Sequence, residues 1–277
     1  MKWAYYDLKN QPPSHDFITF CHYARYHGAG GIWFGKGFNS HPDYLSREGE
    51  RERVSSILIP LCEKYGFEYK FDRPPEKDMA EMDWQDVGVV YPTVDAPWHL
   101  KHNDPTSHRF HDIHKYITEP MEIKASSEAM NWASDRFKGR NPIVVSIRNA
   151  RYQPLRNSSP DWHRWAAEHE AEIIPDYLDE KISLDRLVAC YDLASLNIGV
   201  HQGRGLLNWF SHRPYLVVKH IIPEYKVMNA DWVRKNHGLS IGAQMKWATK
   251  KQKILWNSED DYETIEREYQ TYLDENR

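Results

Sequence analysis

The feature that most constrains the fold is an alternation of short apolar runs with amphipathic segments along most of the chain. Strand-like runs such as WAYYD, PIVVSIR and LNIGV are each followed by a stretch whose apolar side chains recur at helical spacing. A strand, a helix and a further strand in succession normally form parallel pairs with helices on the sheet faces. The alternation therefore predicts an α/β fold with parallel sheets.

The alternation is interrupted once, in a segment rich in Pro, His and Asp that covers residues 92–120. The interruption predicts two Rossmann-like lobes, an N-terminal lobe over residues 1–118 and a C-terminal lobe over residues 119–255. The remaining residues 256–277 are acidic and amphipathic, and they predict a helix opened by Ser258 with acidic side chains at its positive end.

Composition restricts the class of protein further. With 277 residues and 40% hydrophobic content, the chain is long enough for two cores, and no apolar run reaches the length of a membrane span. The first residues lack the apolar stretch of a signal peptide. Cys21, Cys62 and Cys190 are far apart in apolar surroundings, which favours reduced thiols. We therefore expect a cytoplasmic protein without a membrane span, and a net charge of −4 gives no general attraction for nucleic acid.

An arginine-rich loop follows the strand PIVVSIR. Ligands of open α/β sheets bind beyond the carboxyl ends of the strands, so this position favours a ligand contact. Three guanidinium groups in one loop suit a diphosphate, because each matches phosphate oxygens in a bidentate fork. The alternative is a solvated loop that pairs with local carboxylates. The three residues are Arg148, Arg151 and Arg156.

A glycine turn follows the strand LNIGV and precedes the helical segment LLNWF. Gly203 and Gly205 permit a tight turn directly before a helix, whose free amide groups attract anions. His201, Gln202 and Arg204 add polar side chains at the same strand end. The alternative is an ordinary connection that binds nothing, and neither a dinucleotide fingerprint nor a Walker motif is present.

Two further residues, His15 and Asp16, lie in the first strand-to-helix loop. Asp16 is a candidate general base, although an acidic residue in the first turn of a helix also stabilises the helix dipole. Histidines between His99 and His114 suggest a metal only weakly, because further ligands are not evident. No Asp-x-Asp triplet is present to hold a metal-bound sugar nucleotide, so we predict no metal site.

The sequence resembles a poorly characterised group of bacterial and phage glycosyltransferase-like proteins with the two-lobed GT-B architecture. The resemblance is carried by the segments YYDLKNQPPSHDF, IRNARYQPLRNS, ASLNIGVHQGRGLLNWF and GAQMKWATKKQKILW. The residues that correspond to the pattern of the group are Arg148, Arg156, Asn157, Ser158, Gly199, Gly203, Trp247, Ala248, Gln252 and Trp256.

The resemblance implies a division of labour between the lobes. In GT-B enzymes the C-terminal lobe holds the nucleotide sugar, the N-terminal lobe holds the acceptor, and catalysis takes place in the cleft. The final helix commonly crosses back onto the first lobe, a part that residues 256–277 would play here. Metal independence is also usual in these enzymes, in agreement with the missing Asp-x-Asp triplet.

The sequence therefore predicts a metal-independent glycosyltransferase with a nucleotide sugar as co-substrate and no other cofactor. Arg148 and Arg156 would neutralise the leaving diphosphate with help from the backbone amides of Gln202 and Gly203, and Asp16 or His15 would deprotonate the acceptor in an inverting reaction.

Several alternatives remain open. The acceptor is a polysaccharide, a protein, a small molecule or a modified DNA base. The same scaffold also suits a nucleotide-sugar epimerase or hydrolase, or a binding protein without catalytic activity.

Overall fold

The computed structural model describes residues 3–8, 13–26, 28–35, 47–71, 89–90, 118–151, 153–176, 180–225, 228–231, 234 and 240–277. The chain forms two compact units, the first of Met1–Met121 with Asn236–Gly238 and the second of Glu122–Lys235 with Leu239–Arg277. The main boundary therefore lies three residues after the predicted one at residue 118. The irregular connection predicted for residues 92–120 lies outside the described residues except for residues 118–120.

The first unit contains a parallel sheet with helices between its strands. Its described elements are β1 (Trp3–Asp7), α1 (Phe17–Tyr26), β2 (Gly31–Gly35), α2 (Arg47–Arg53), a π-helical turn (Val54–Leu58), α3 (Ile59–Lys64), β3 (Glu68–Lys70) and β4 (Val89–Val90). The described strands pair in the order β3-β2-β1-β4, and each pair is parallel. The predicted parallel pairing is confirmed for these strands.

An aromatic cluster fastens α1 to one face of this sheet. The ring of Tyr6 in β1 makes edge contacts with Phe17 and Phe20 of α1 and with Phe34 of β2, at centroid distances of 4.8, 4.9 and 5.9 Å. All four rings are buried. Edge-to-face packing of this kind adds about 0.5–1.5 kcal/mol per pair to the gain from burial alone.

The helix predicted before Gly66 contains a π-helical turn that the sequence pattern did not reveal. The backbone N–H of Ile59 donates to the carbonyl of Val54, five residues earlier. Pro60 comes next, and a proline ring in a regular helix clashes with the carbonyl four residues back, here that of Ser56. A wider turn before the proline relieves this clash. α3 then ends at Lys64, and Gly66 follows its cap with a φ of +67°, which favours glycine at the end of a helix.

A buried histidine in α1 holds the last residue of the first unit. His22 donates from Nδ1 to the carbonyl of Ile18 at 2.9 Å, and its Nε2 accepts the backbone N–H of Met121 at 2.9 Å. Burial lowers the pKa of His22 from 6.5 to about 4, although the bond to Ile18 acts in the opposite direction. The ring is therefore neutral at pH 7, and protonation of Nε2 would remove the acceptor that Met121 uses.

We expect His22 to make the first unit less stable by about 2 kcal/mol at pH 5 than at pH 7. The pKa of His22 is lower in the folded protein than in the unfolded chain, so the unfolded chain binds the proton first. Stability is therefore complete above pH 6.5 and is lost as the pH falls toward 4. Urea unfolding of the wild type and His22→Gln at both pH values measures this difference. Equal pH dependence in the two proteins would contradict the expectation.

The second unit contains a second parallel sheet. Its described elements are α4 (Ser127–Arg136), β5 (Ile143–Ser146), a 3-10 turn (Pro154–Arg156), α5 (Asp161–Glu168), β6 (Glu172–Ile174), α6 (Leu184–Leu193), β7 (Leu196–Val200), a second 3-10 turn (Gly203–Gly205), α7 (Leu206–Trp209), β8 (Tyr215–Val218), β9 (Gln252–Ile254) and α8 (Tyr262–Asn276). The described strands pair in the order β6-β5-β7-β8-β9, all parallel.

The C-terminal helix begins later than predicted. α8 begins at Tyr262, and its cap is Asp261, whose carboxylate accepts the backbone N–H of Thr264 at 2.9 Å; Ser258 is not the cap. The helix also packs on its own unit, because Ile265 and Tyr272 lie in the same buried cluster as α5 and the strands β5, β7 and β8. Residues 256–277 therefore belong to the second unit, and the crossing back onto the first lobe stays a prediction.

An edge strand, β9, was absent from the sequence-based prediction. It pairs with β8, and its free side is completed by the side-chain amide of Gln244. Gln244 accepts the N–H of Ile254 at 2.6 Å and donates to the carbonyl of Ile254 at 2.9 Å. This two-point bond imitates a neighbouring strand and satisfies polar groups that an edge strand otherwise leaves unpaired.

Two predictions about the whole chain can be compared with the described residues. Cys21, Cys62 and Cys190 are buried free thiols, as predicted, and burial raises the pKa of each. Among the helices that the structure describes, none has both the length and the apolar character required to cross a bilayer.

Candidate functional site

The strand order of the second unit creates a switch point between β5 and β7. From β5 the chain continues to β6 on one side, and from β7 it continues to β8 on the other. In doubly wound sheets of this order, ligands bind at the carboxyl ends of the two strands that flank the switch point. Here those ends lead into the arginine-rich loop after Ser146 and the glycine turn after Val200.

A glycine permits the close approach of the two strands. A Cβ atom at Gly199 would lie 2.6 Å from the backbone carbonyl oxygen of Ser146, a distance that side chains do not tolerate. Gly199 and Ser146 are register partners in the β5–β7 pair. The requirement for glycine at this position is therefore steric and does not depend on a positive φ.

The glycine turn is bonded to the strand on the other side of the switch point. The buried side chain of Gln202 donates from Nε2 to the carbonyl of Ser146 at 2.8 Å. Arg204 is also buried and donates from Nη1 to the carbonyl of Pro175, just after β6, at 2.6 Å. Gly203 is half-buried at the start of the 3-10 turn. The glycine turn is thus hydrogen-bonded to the end of β5, from which the arginine-rich loop begins. Gln202 and Arg204 both form hydrogen bonds within the protein.

Arg148 organises the arginine-rich loop from within. Its side chain is buried, and Nη1 donates to the carbonyl of Gln153 at 3.1 Å and to Oδ1 of Asn157. Asn157 in turn forms a two-point bond with the backbone of Ala150, accepting its N–H and donating to its carbonyl, both at 3.0 Å. The N–H of Arg148 donates to the hydroxyl of Ser158 at 3.0 Å. Arg148, Asn157 and Ser158 therefore shape the loop.

The other two arginines of the loop are closer to solvent. Arg151 is exposed, and Arg156 is half-buried with Nη1 donating to Oε1 of Gln153 at 2.8 Å. Gln153 has a φ of +52°, which is uncommon for a residue other than glycine. Backbone strain of this kind clusters at functional sites, where the surrounding bonds maintain it.

A second strained residue, Lys219, lies directly after β8 with a φ of +54°. Its Nζ donates to the carbonyl of Asn157 at 2.9 Å and pairs with Oδ1 of Asp260 at 2.9 Å. The other non-glycine residues with positive φ among those described are Lys138 and Glu170, which follow helices α4 and α5, where such conformations end helices. The two strained residues that do not follow an α-helix thus belong to one network.

Asp260 is the centre of this network, although the sequence analysis did not identify it. Its Oδ2 accepts the backbone N–H of Ser159 at 2.7 Å and the indole N–H of Trp162 at 2.9 Å, in addition to the ion pair with Lys219. The carboxylate is buried. The rule that ligands bind beyond the carboxyl ends of strands, which selected Arg148, could also have selected Lys219, because Lys219 directly follows β8. No local sequence pattern points to Asp260.

Aromatic and imidazole rings line the region beyond β7 and β8. His201 stacks on His220 at 4.6 Å and on Trp209 at 5.0 Å between ring centroids. The buried ring of His220 also makes an edge contact with Trp256 at 4.7 Å. His201, which is half-buried, is therefore held in a fixed orientation beside the glycine turn.

In the first unit, His15 and Asp16 lie in the turn that precedes α1, between the carboxyl end of β1 and the helix. His15 is buried, and Asp16 is half-buried. The carboxylate of Asp16 accepts the hydroxyl of Ser14 at 2.9 Å, while its backbone carbonyl accepts the N–H of Thr19 at 3.0 Å. The order β3-β2-β1-β4 gives this unit a switch point between β1 and β4, next to this turn.

No group of three His, Cys, Asp or Glu residues suited to a metal ion is found within the part of the chain that the structure describes. The histidines from His99 to His114, the alternative metal candidates, lie outside the described residues.

Comparisons with known proteins gave few matches. No protein-family model matches the chain, and no curated protein matches it in sequence. The crystal structure of a glycosyl transferase family 9 protein from Veillonella parvula DSM 2008 is similar at 9% identity and a TM-score of 0.49, covering 98% of this chain and 96% of that one. The wall teichoic acid polymerase TagF is similar at 9% identity and a TM-score of 0.28, covering 99% and 82%.

Proposed function

We propose that this protein is a glycosyltransferase that moves a sugar from a nucleotide-sugar donor to an acceptor, and that the second unit binds the donor. The observation that carries the proposal is the switch point between β5 and β7, from which both the arginine-rich loop and the glycine turn emerge. This is the position at which doubly wound sheets bind phosphorylated ligands.

The side chains divide into ligand-binding and loop-shaping groups. Arg151 and Arg156 are the cations nearest to solvent and would bind the diphosphate, which their planar guanidinium groups match. Arg148 adds its charge from within the loop and keeps the loop in shape. Positive charge near the leaving diphosphate stabilises the charge that develops on it as the sugar departs.

The reaction proposed here is independent of metal ions, with the arginines taking the part that a divalent cation plays in other transferases. In an inverting reaction, Asp16 would accept the proton of the acceptor hydroxyl, and the Ser14 hydroxyl would hold its carboxylate in place. His15 is the alternative base. A retaining reaction would not require this base.

We expect Arg156→Ala to weaken the binding of a nucleoside diphosphate by about 1.5–3 kcal/mol, or roughly 10- to 150-fold, because a charge-assisted hydrogen bond is lost. Arg151→Ala should act in the same direction. Titration calorimetry with UDP, GDP, ADP, CDP and dTDP in the presence of EDTA measures the affinity and tests metal independence at once. Arg267→Ala is the control, since this arginine is exposed on α8.

Two results would contradict the proposal. Unchanged affinity in both arginine variants would mean that this loop does not bind the diphosphate. Loss of nucleotide binding in the presence of EDTA would mean that a metal ion is required. Incubation with nucleotide sugars in the absence of an acceptor then separates the alternatives. Conversion to an isomer or to free sugar would indicate an epimerase or a hydrolase, and absence of all nucleotide binding would indicate a protein of another function.

A further inference from the structure

A small cavity with several polar side chains in its wall lies beneath the glycine turn, on the face of the second sheet that α7 covers. Its volume is about 20 Å³. A buried water molecule requires about 10–15 Å³ of such space and two to four polar partners. The polar side chains and turn residues around the cavity include Ser146, Asn197, Gly199, Gln202, Asn208 and Tyr215.

Three buried polar atoms of the cavity wall have no hydrogen-bond partner among the described residues. They are Oδ1 of Asn197, Oδ1 of Asn208 and the hydroxyl of Tyr215. These residues are 3%, 5% and 1% exposed, so bulk water does not reach their side chains freely. Native proteins rarely leave such groups unsatisfied, and three around one cavity point to a shared partner.

The chemistry of the three atoms can be assigned. Asn197 donates from Nδ2 to the carbonyls of Tyr191 and Pro214, both at 3.2 Å, which fixes its Oδ1 as the acceptor directed elsewhere. Burial raises the pKa of Tyr215, so its phenol keeps its proton and can donate. Asn197 and Tyr215 are register partners on neighbouring parallel strands, so their side chains lie side by side on one face.

We propose that this cavity is a binding site for one internal water molecule, which donates to Asn197 and Asn208 and accepts from Tyr215. A water molecule has two donors and can accept the third bond, so it matches two amide oxygens and one hydroxyl. A cation would meet no carboxylate in the cavity wall, since the residues lining it are neutral. The site does not depend on the proposed transferase activity.

The position of the site connects it with the switch point. Gly199 and Gln202 belong both to the cavity wall and to the junction of the glycine turn with β5. Asn208 lies on α7, directly after the turn. The water would therefore join β7, β8 and α7 beneath the turn through bonds that the protein does not supply itself.

A crystal structure of the wild-type protein at high resolution provides the direct test. We expect one density peak within about 2.6–3.2 Å of all three oxygen atoms. A dry cavity, or a peak with the coordination shell of an ion, would overturn the proposal.

A double-mutant cycle provides an independent test in solution. Tyr215→Phe should lower the folding equilibrium constant by about 5- to 150-fold, because it leaves the water and its partners incompletely bonded. Asn208→Ala and Tyr215→Phe remove different bonds to the same water, so their combined effect should differ by more than about 3-fold from the product of the single effects. Tyr269→Phe, at a half-buried tyrosine of α8, is the matched control. If the effect of the double variant on the folding equilibrium constant equals the product of the two single effects, the proposal of one shared water molecule is overturned.

Discussion

Replacing Asp260 with alanine is expected to lower the free energy of unfolding of the second unit by about 3–5 kcal/mol. The carboxylate is buried and accepts hydrogen bonds from Ser159, Trp162 and Lys219. Alanine leaves the ammonium group of Lys219, whose side chain is only 14% exposed, without its counter-ion. Breaking a buried pair from one side is costly because the remaining charge stays desolvated. Urea unfolding monitored by tryptophan fluorescence measures the loss.

Two further variants separate this effect from a general effect of removing an aspartate. Asp274→Ala removes an exposed carboxylate from α8 that pairs with Arg277 at the surface, and we expect little change in stability. The double variant Lys219→Met, Asp260→Ala removes both charges, so it should be more stable than Asp260→Ala alone. A loss of less than about 1 kcal/mol in Asp260→Ala would mean that the pair behaves as a solvated surface pair.

Asp260→Ala should also weaken nucleoside-diphosphate binding, if the arginine-rich loop binds the diphosphate as proposed. Ser159 follows this loop, and Lys219 holds the carbonyl of Asn157 within it. Removal of Asp260 releases both restraints, so Arg151 and Arg156 would no longer be held in one arrangement. Ligand-binding loops lose affinity when their geometry is no longer fixed in advance.

The sequence predicted the apolar strands of the second unit, but it did not predict the edge strand β9 or the polar network around Asp260. β5, β7 and β8 are buried apolar runs followed by loops, and such runs give a strong local signal. β9 has three described residues, of which Gln252 and Lys253 are polar, so no apolar period was visible. Gln252 is nevertheless buried, because its amide donates to the carbonyl of Ser211 at 2.6 Å.

The candidate site was predictable as a position but not as a set of contacts. The rule that ligands bind at the carboxyl ends of strands selected both loops of the switch point. It did not reveal that Gln202 bonds to Ser146 or that Arg204 bonds to Pro175, since these partners are far apart in the chain. Predicted ligand residues can therefore have structural roles, because buried polar groups require partners within the protein.

Replacing Arg213 with methionine should have a comparable effect on stability, about 3–5 kcal/mol. The guanidinium group is buried and donates to Oδ1 of Asp192 at 2.6 Å, to the carbonyl of Leu207 at 3.0 Å and to the carbonyl of Ile123 at 2.7 Å. Methionine keeps the apolar stem but leaves these three acceptors without their donor. Arg234→Ala, at an exposed arginine with a surface partner, is the control and should leave stability nearly unchanged.

The two buried ion pairs occupy opposite ends of one strand, so their variants distinguish stability from ligand binding. Arg213 precedes β8 at the amino end of the sheet, whereas Lys219 follows β8 at the carboxyl end, beside the arginine-rich loop. We therefore expect Arg213→Met to lower the urea midpoint about as much as Asp260→Ala does. Titration calorimetry below the unfolding transition should show wild-type nucleotide affinity for Arg213→Met but reduced affinity for Asp260→Ala. Equal losses of affinity in both variants would mean that binding follows the stability of the whole unit, and the specific role of Asp260 in holding the loop would then be refuted.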